Sequence, residues 1–280
     1  MKNVLLPTDF SDNSWNAIEY ALQFFKEETC NFYLLHVNTL DNLIVGDTAY
    51  IPTQTEIETV HVKPAKQKLK QLLKRVSNTF KPNKNHHFYT LTDYSFMIES
   101  IRKHVKEKHI DMIVMGTKGA SGLKEYIIGS NAGDVITKVK CTTLIVPENA
   151  KYEPHKEIAF PTDFTMSYDI QTLQPISELL SKKDAVLRVL HITKKSSVLN
   201  KEQEYNKELI EEVFDGLDYS FHFLTNSKLE NAIQCFVESR DIDIIVMVAK
   251  NLNYFQHILF HTRVEKISYH TEIPFLVLHE

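Results

Sequence analysis

Residues 110–130 read IDMIVMGTKGASGLKEYIIGS. Asp111 leads into Met112, Ile113, Val114 and Met115, a short apolar, β-branched run without helical gaps, which predicts a buried parallel strand. Gly116 ends it. Gly119 follows, then Gly129 and Ser130, and a helical pattern runs over 131–139. Four of the chain's seven glycines fall in this window. Glycine reaches positive φ and brings backbone close to a ligand. Between a parallel strand's carboxyl end and a helix N-terminus, that property suits an anion, most often phosphate. Ser130, as N-cap or first-turn residue, can turn its hydroxyl to the backbone or to the same anion. A glycine-rich turn that binds nothing is the competing reading.

Outward from this window the chain repeats itself. VLLPTDFS at 4–11 recurs as IAFPTDFT at 158–165, LLHV at 34–37 as VLHI at 189–192, and IDMIVM at 110–115 as IDIIVM at 242–247. Three strings in conserved order imply a duplicated unit. The first copy predicts strands at 2–6, 31–37, 86–91, 111–115 and 142–146. Its helices are a Ser11-capped one, a lysine-rich one at 56–80 after a long loop at 38–55, one at 94–108, and the one at 131–139. The second copy predicts strands at 157–160, 185–192, 219–224, 243–248 and 275–279, with helices starting at Thr165 and at 201–214 and 229–240. Alternating strands and helices imply right-handed crossovers and a parallel sheet covered on both faces. The expected fold is α/β: two tandem, doubly wound, parallel five-stranded sheets of Rossmann-like type, over 1–148 and 156–280, joined by a short polar linker.

Composition sets limits. At 280 residues, with 43% hydrophobic and 24% charged residues, the chain has the balance of a globular protein. The net charge is +2 over 1–150 and −6 over the rest, without the basic excess of a nucleic-acid binder. No signal region and no membrane-length apolar run is present. Cys30, Cys141 and Cys235 form no CxxC pair and read as buried free thiols of a cytoplasmic protein.

PTDFS after the first strand, LLHV at the second, VMG after the fourth, and G-x2-G-x9-G-[ST] filled by Gly116, Gly119, Gly129 and Ser130 resemble the universal stress protein family. The doubled arrangement is similar to its tandem members, and the fold implied is adenine nucleotide alpha hydrolase-like. The resemblance implies a stress-response regulator that binds ATP, or ADP or AMP, with Mg2+ as counter-ion. It places the site at Pro7, Thr8, Asp9, Val37, Met115, Gly116, Gly119, Gly129, Ser130 and Asn131. Asp9 and Val37 would contact the adenosine, and the glycines and Ser130 the ribose and phosphates. From the residues themselves, Asp9 is either a ribose or adenine acceptor or a cap of the next helix, and Val37 either a wall for the base or plain core. Lys118 and Lys124 read as surface lysines. The family also pairs domains through the last strand, so a homodimer, a protein partner, or pairing within the chain are all open.

The second copy departs from the pattern, with Val248, Asn251, His261 and Thr262 where the first has Gly116, Gly119, Gly129 and Ser130. Asp163 and Ile192 persist, but branched and bulky residues resist close phosphate approach. His257, His261 and His270 read as scattered polar residues rather than metal ligands; Phe255, Ile258, Leu259 and Phe260 read as packing. His36 and His191 read as hydrogen-bonding residues at the sheet end. No nucleophilic triad, paired carboxylates or Walker GxxxxGK[ST] can be placed, so any catalysis expected is at most weak ATPase or self-phosphorylating activity.

Overall fold

The computed structural model describes residues 1–38, 44–45, 48–49, 53–117, 129–193, 198–226, 229–249 and 273–279. The first half contributes strands β1 (Lys2–Pro7), β2 (Cys30–Asn38), β3 (His86–Tyr94), β4 (Met112–Gly116) and β5 (Thr143–Val146). Its helices are α1 (Asp12–Phe24), α2 (Lys63–Thr79), α3 (Met97–Glu107) and α4 (Ser130–Lys138). The second half contributes β6 (Glu157–Pro161), β7 (Val186–Thr193), β8 (Tyr219–Thr225), β9 (Ile244–Val248) and β10 (Phe275–Leu278). Its helices are α5 (Ile170–Lys183), α6 (Lys201–Val213) and α7 (Leu229–Ser239).

All ten strands join one sheet in the order β8-β7-β6-β9-β10-β5-β4-β1-β2-β3. In this sheet every pairing within a half is parallel, and both halves run 3-2-1-4-5 outward to inward. The central pair, β5 with β10, is antiparallel, with Leu144 opposite Leu276; apart from this sheet, Ile44–Val45 and Thr48–Ala49 form a two-stranded antiparallel ribbon. The two expected five-stranded sheets thus satisfy each other's inner edge, which removes two exposed ladders at once. Of the three pairings the sequence left open, this chain uses the internal one.

The sheet is buried on both faces. Leu6, Phe32, Leu34, Leu144 and Leu276 belong to one core layer, and Leu5, Leu35, Ile113, Ile145 and Phe275 to the other. This strand-by-strand alternation between layers is why the β-branched runs look uninterrupted in sequence. The linker at 148–155 is less polar in effect than its composition suggests. Asn16 on α1 donates to the carbonyls of Pro147 and Ala150, both at 3.0 Å. Tyr20 and His155 share a 2.7 Å hydrogen bond, with Tyr152 and Phe24 packed edge-on. Across the halves, Lys2 donates to Glu178 at 2.9 Å and Lys182 to Glu28 at 3.1 Å.

Some boundaries differ from expectation. β3 runs on to Tyr94 because the polar Asp93 is satisfied internally: its Oδ2 accepts from Ser100 Oγ (2.7 Å) and His104 Nε2 (2.8 Å). Burial alone would raise the Asp93 carboxyl, but Ser100, His104 and Lys103 outweigh it and hold it below the usual range. α3 accordingly starts at Met97 rather than 94. The lysine-rich helix begins earlier, at a Thr53 capping box with Glu56, and passes through a π-helical turn at Ile57–Val62 into α2. α5 starts at Ile170, not Thr165. Cys235 is exposed, against expectation, while Cys30 and Cys141 are buried; burial pushes the Cys30 thiol up to about 11 and that of Cys141 to about 12. Among the described residues no helix is long and apolar enough to cross a membrane.

Candidate functional site

In a 3-2-1-4-5 sheet the chain reverses direction between β1 and β4, and the crevice opens beyond their carboxyl ends. At the β1 exit, Pro7 and Thr8 are buried and Asp9 is exposed. Thr8 N donates to Leu35 O at 2.8 Å, and His36 Nδ1 donates to the Thr8 carbonyl at 2.8 Å. Phe10 takes a left-handed φ of 66° and packs 4.4 Å from the His36 ring. Its amide donates to Thr8 Oγ1 at 3.1 Å.

Asp9 is engaged locally: its Oδ1 accepts from Ser11 N at 3.0 Å and from Ser11 Oγ at 2.6 Å. Ser11 in turn caps α1, accepting from Ser14 N at 3.2 Å. The carboxylate and the serine therefore cooperate rather than compete for the helix start. Ser14 Oγ donates to Ser11 O at 2.9 Å, so the 3.0 Å contact between Thr8 and Ser14 hydroxyls leaves Thr8 as donor.

The second half builds the same turn. Phe164 has φ 55°, its amide donates to Thr162 Oγ1, and Asp163 Oδ1 accepts from Thr165 N and Oγ1. His191 Nδ1 donates to Thr162 O at 3.0 Å, with its ring stacked on Phe164. The PTDF-[ST] string and the paired histidines are thus one device: the histidine ties the strand end, and the aspartate shapes the exit.

At the β4 exit the halves diverge. A Cβ on Gly116 would lie 2.8 Å from Cγ and Oδ1 of Asn13, in the first turn of α1. Neither Gly116 nor Gly129 has positive φ; Gly129 has φ −67° and ψ 161°. Glycine is therefore required at 116 for space, not for conformation, which corrects the expectation of positive φ there. Thr117 is 3% exposed, and its carbonyl accepts from Gly129 N at 2.5 Å, which brings the α4 N-terminus back to the strand end. Gly129, not Ser130, is the N-cap, and among the described residues no side chain caps the helix there. Gly133 N makes the first intrahelical bond, to Gly129 O. The first-turn amides, with Ser130 and Asn131 exposed beside them, form a positively polarised end with no acidic side chain in its first turn.

β1 and β4 are neighbouring strands, so Thr8 and Asp9 at one exit and Gly116 at the other lie at the same end of the sheet, and Thr117 ties Gly129, with Ser130 and Asn131 after it, to the β4 exit. Asn13 and Thr117 are contacts that sequence reasoning missed. Met115 is buried in a core layer, and Val37 is partly buried and packs against that same layer. Gly119, Lys118 and Lys124 lie outside the described residues, as do Asn251, His261 and Thr262, the other histidines noted at 257 and 270, and the apolar segment 255–260. In the second half Val248 is buried at the position of Gly116, and Tyr168, at that of Ser14, lies 3.3 Å from the Thr162 hydroxyl.

An α/β domain of doubly wound topology, with an uncapped helix N-terminus at its switch point, defines a class of small-ligand and anion-binding proteins. Residues 1–147 match the universal stress protein family, and the chain belongs to that family. It is 27% identical over 155 residues to a universal stress protein of Methanocaldococcus jannaschii, covering 54% of this chain and 84% of the relative. It is 29% identical over 146 residues to universal stress protein YxiE of Bacillus subtilis, covering 51% and 97%. The crystal structure of a universal stress protein from Archaeoglobus fulgidus superposes with TM-score 0.69 at 19% identity, over 98% of this chain and 97% of that one. The last likeness extends the shared fold across both halves.

Proposed function

We propose that the first half binds ATP or a related adenine nucleotide, and that occupancy sets the conformation or partner affinity of a stress-response regulator in the cytoplasm. The observation that carries this reading is the uncapped α4 N-terminus, tied to the β4 exit through the Gly129–Thr117 hydrogen bond. Its free amides and the glycine at its cap admit a phosphate group, and the absence of acidic residues in its first turn avoids repulsion. To Asp9, exposed at the β1 exit, and Val37 on the neighbouring strand this reading assigns the ribose and base.

Among the described residues no group of three His, Cys, Asp or Glu side chains gathers that could hold a metal ion. Mg2+ would accompany the phosphates as their counter-ion. The second half, with Val248 and Tyr168 filling the equivalent space, serves as a structural partner through β10. The test is Gly129→Val. Its backbone angles are ordinary extended values that valine adopts, so the variant keeps the fold with a modest loss of stability for valine at an N-cap, and loses Mg2+–ATP binding in calorimetry. Retained affinity would overturn the assignment.

A further inference from the structure

At the opposite, amino end of the first half's strands lies a cavity of about 670 Å3, unrelated to the crevice above. It opens between the C-terminal turns of α1 and α2 and the loop 81–85 that leads into β3. That volume lies within the usual range for small-molecule pockets. Leu22, Leu73, Val76, Phe80 and Phe88 supply apolar walls.

Helix ends are usually polar, but here the carbonyls are already used. Phe25 O accepts from His86 Nε2 at 3.0 Å, Lys26 O from Asn83 Nδ2 at 2.9 Å, Gln23 O from Lys26 N, and Val76 O from Phe80 N. What remains exposed to an occupant is hydrocarbon, charge and the polar side chains of Gln23, Ser77 and Asn85. Glu27 is the one acid in the lining among the described residues, and it faces Lys26 at 3.8 Å. Lys81 and Lys84, on the rim, make no ion pair among the described residues. In the second half the corresponding turn is three residues shorter between the aromatic at the helix end and the one on the edge strand, and Phe214 there is fully buried. The longer, lysine-bearing loop is thus a feature of the first half.

We propose that this cavity is a second ligand site, which takes an alkyl chain with one anionic head, such as a medium-chain fatty acid. The chain lies against Leu22, Val76 and Phe88, and the carboxylate meets Lys81 and Lys84.

Calorimetric titration of the full chain with dodecanoate tests this, with dodecyltrimethylammonium as the probe of identical tail and opposite charge. Dodecanoate binds with a stoichiometry of one, and the cation does not. The double variant Lys81→Glu, Lys84→Glu weakens dodecanoate roughly ten-fold, as removal and reversal of two exposed ion pairs should. Ser77→Trp, on an exposed lining position of α2, blocks the cavity and abolishes binding. Gly129→Val leaves it unchanged, which separates this site from the nucleotide crevice. Equal binding of both probes, absence of dodecanoate binding, or indifference to Ser77→Trp in a folded protein overturns the proposal. If Ser77→Trp fails to fold, a diazirine-bearing fatty acid locates the bound chain on the wild type instead: labelling within 22–27 or 73–88 supports the site, and labelling elsewhere refutes it.

Discussion

Gly116→Ala isolates the steric claim at the centre of the site. The added Cβ would sit 2.8 Å from Asn13 Cγ and Oδ1 and 3.0 Å from Nδ2, closer than side-chain carbons approach. Asn13 is 8% exposed in the first turn of α1, so its side chain has little room to turn aside. Overpacking of this kind costs about 1–3 kcal/mol. The second half shows the way out: at the places of Gly116 and Asn13 it carries Val248, buried, and Ser167, exposed. A double-mutant cycle in urea should therefore show Gly116→Ala costing about 1–3 kcal/mol alone and close to nothing beside Asn13→Ser. A neutral Gly116→Ala, or an equal cost in both backgrounds, would refute the reasoning. The measurement reads packing alone, whatever the crevice binds.

Three further outcomes follow from the geometry. Burial, with Lys140 adding to it, pushes the His279 imidazole down to about 4. The folded state resists its protonation, so stability is greatest above about pH 6.5 and falls as pH drops toward 4, by about 2 kcal/mol after discount for partial exposure; His279→Leu should flatten that part of the profile of unfolding free energy against pH. Leu276→Ala, fully buried opposite Leu144 in the central antiparallel pair, should cost about 2–5 kcal/mol in denaturant titration. Glu28→Gln removes one member of the Lys2–Glu28–Lys182–Glu178 cluster between the halves. These groups are substantially solvated, so the loss should be below about 1 kcal/mol and should vanish in high salt.

The fold was legible because it rests on signals that survive in one dimension. The runs VLL, LLHV and MIVM are hydrocarbon on both faces because the strands are covered on both faces, and their repetition dictates two copies. Local polar chemistry hid the rest. Asp93 reads as the end of a strand, yet Ser100 and His104 offset its desolvation from a helix that starts four residues later. Thr165 reads as a helix start like Ser11, yet α5 begins five residues further on. Tyr152 and His155 look like linker residues because their partners, Tyr20 and Phe24, lie more than 120 positions away in the chain. At the site, the glycine spacing identified the strand exit and the helix start, but the role of glycine at 116 depends on Asn13, a contact no spacing rule encodes.

The central claim, a working site in the first half and a filled one in the second, is tested most directly by calorimetric titration of the nucleotide-stripped protein with Mg2+–ATP. The account predicts one site per chain, lost in Gly129→Val. Two sites would contradict the filled second crevice. No heat, and no competition by ADP or AMP, would contradict nucleotide binding itself and leave the two halves as a scaffold for a protein partner.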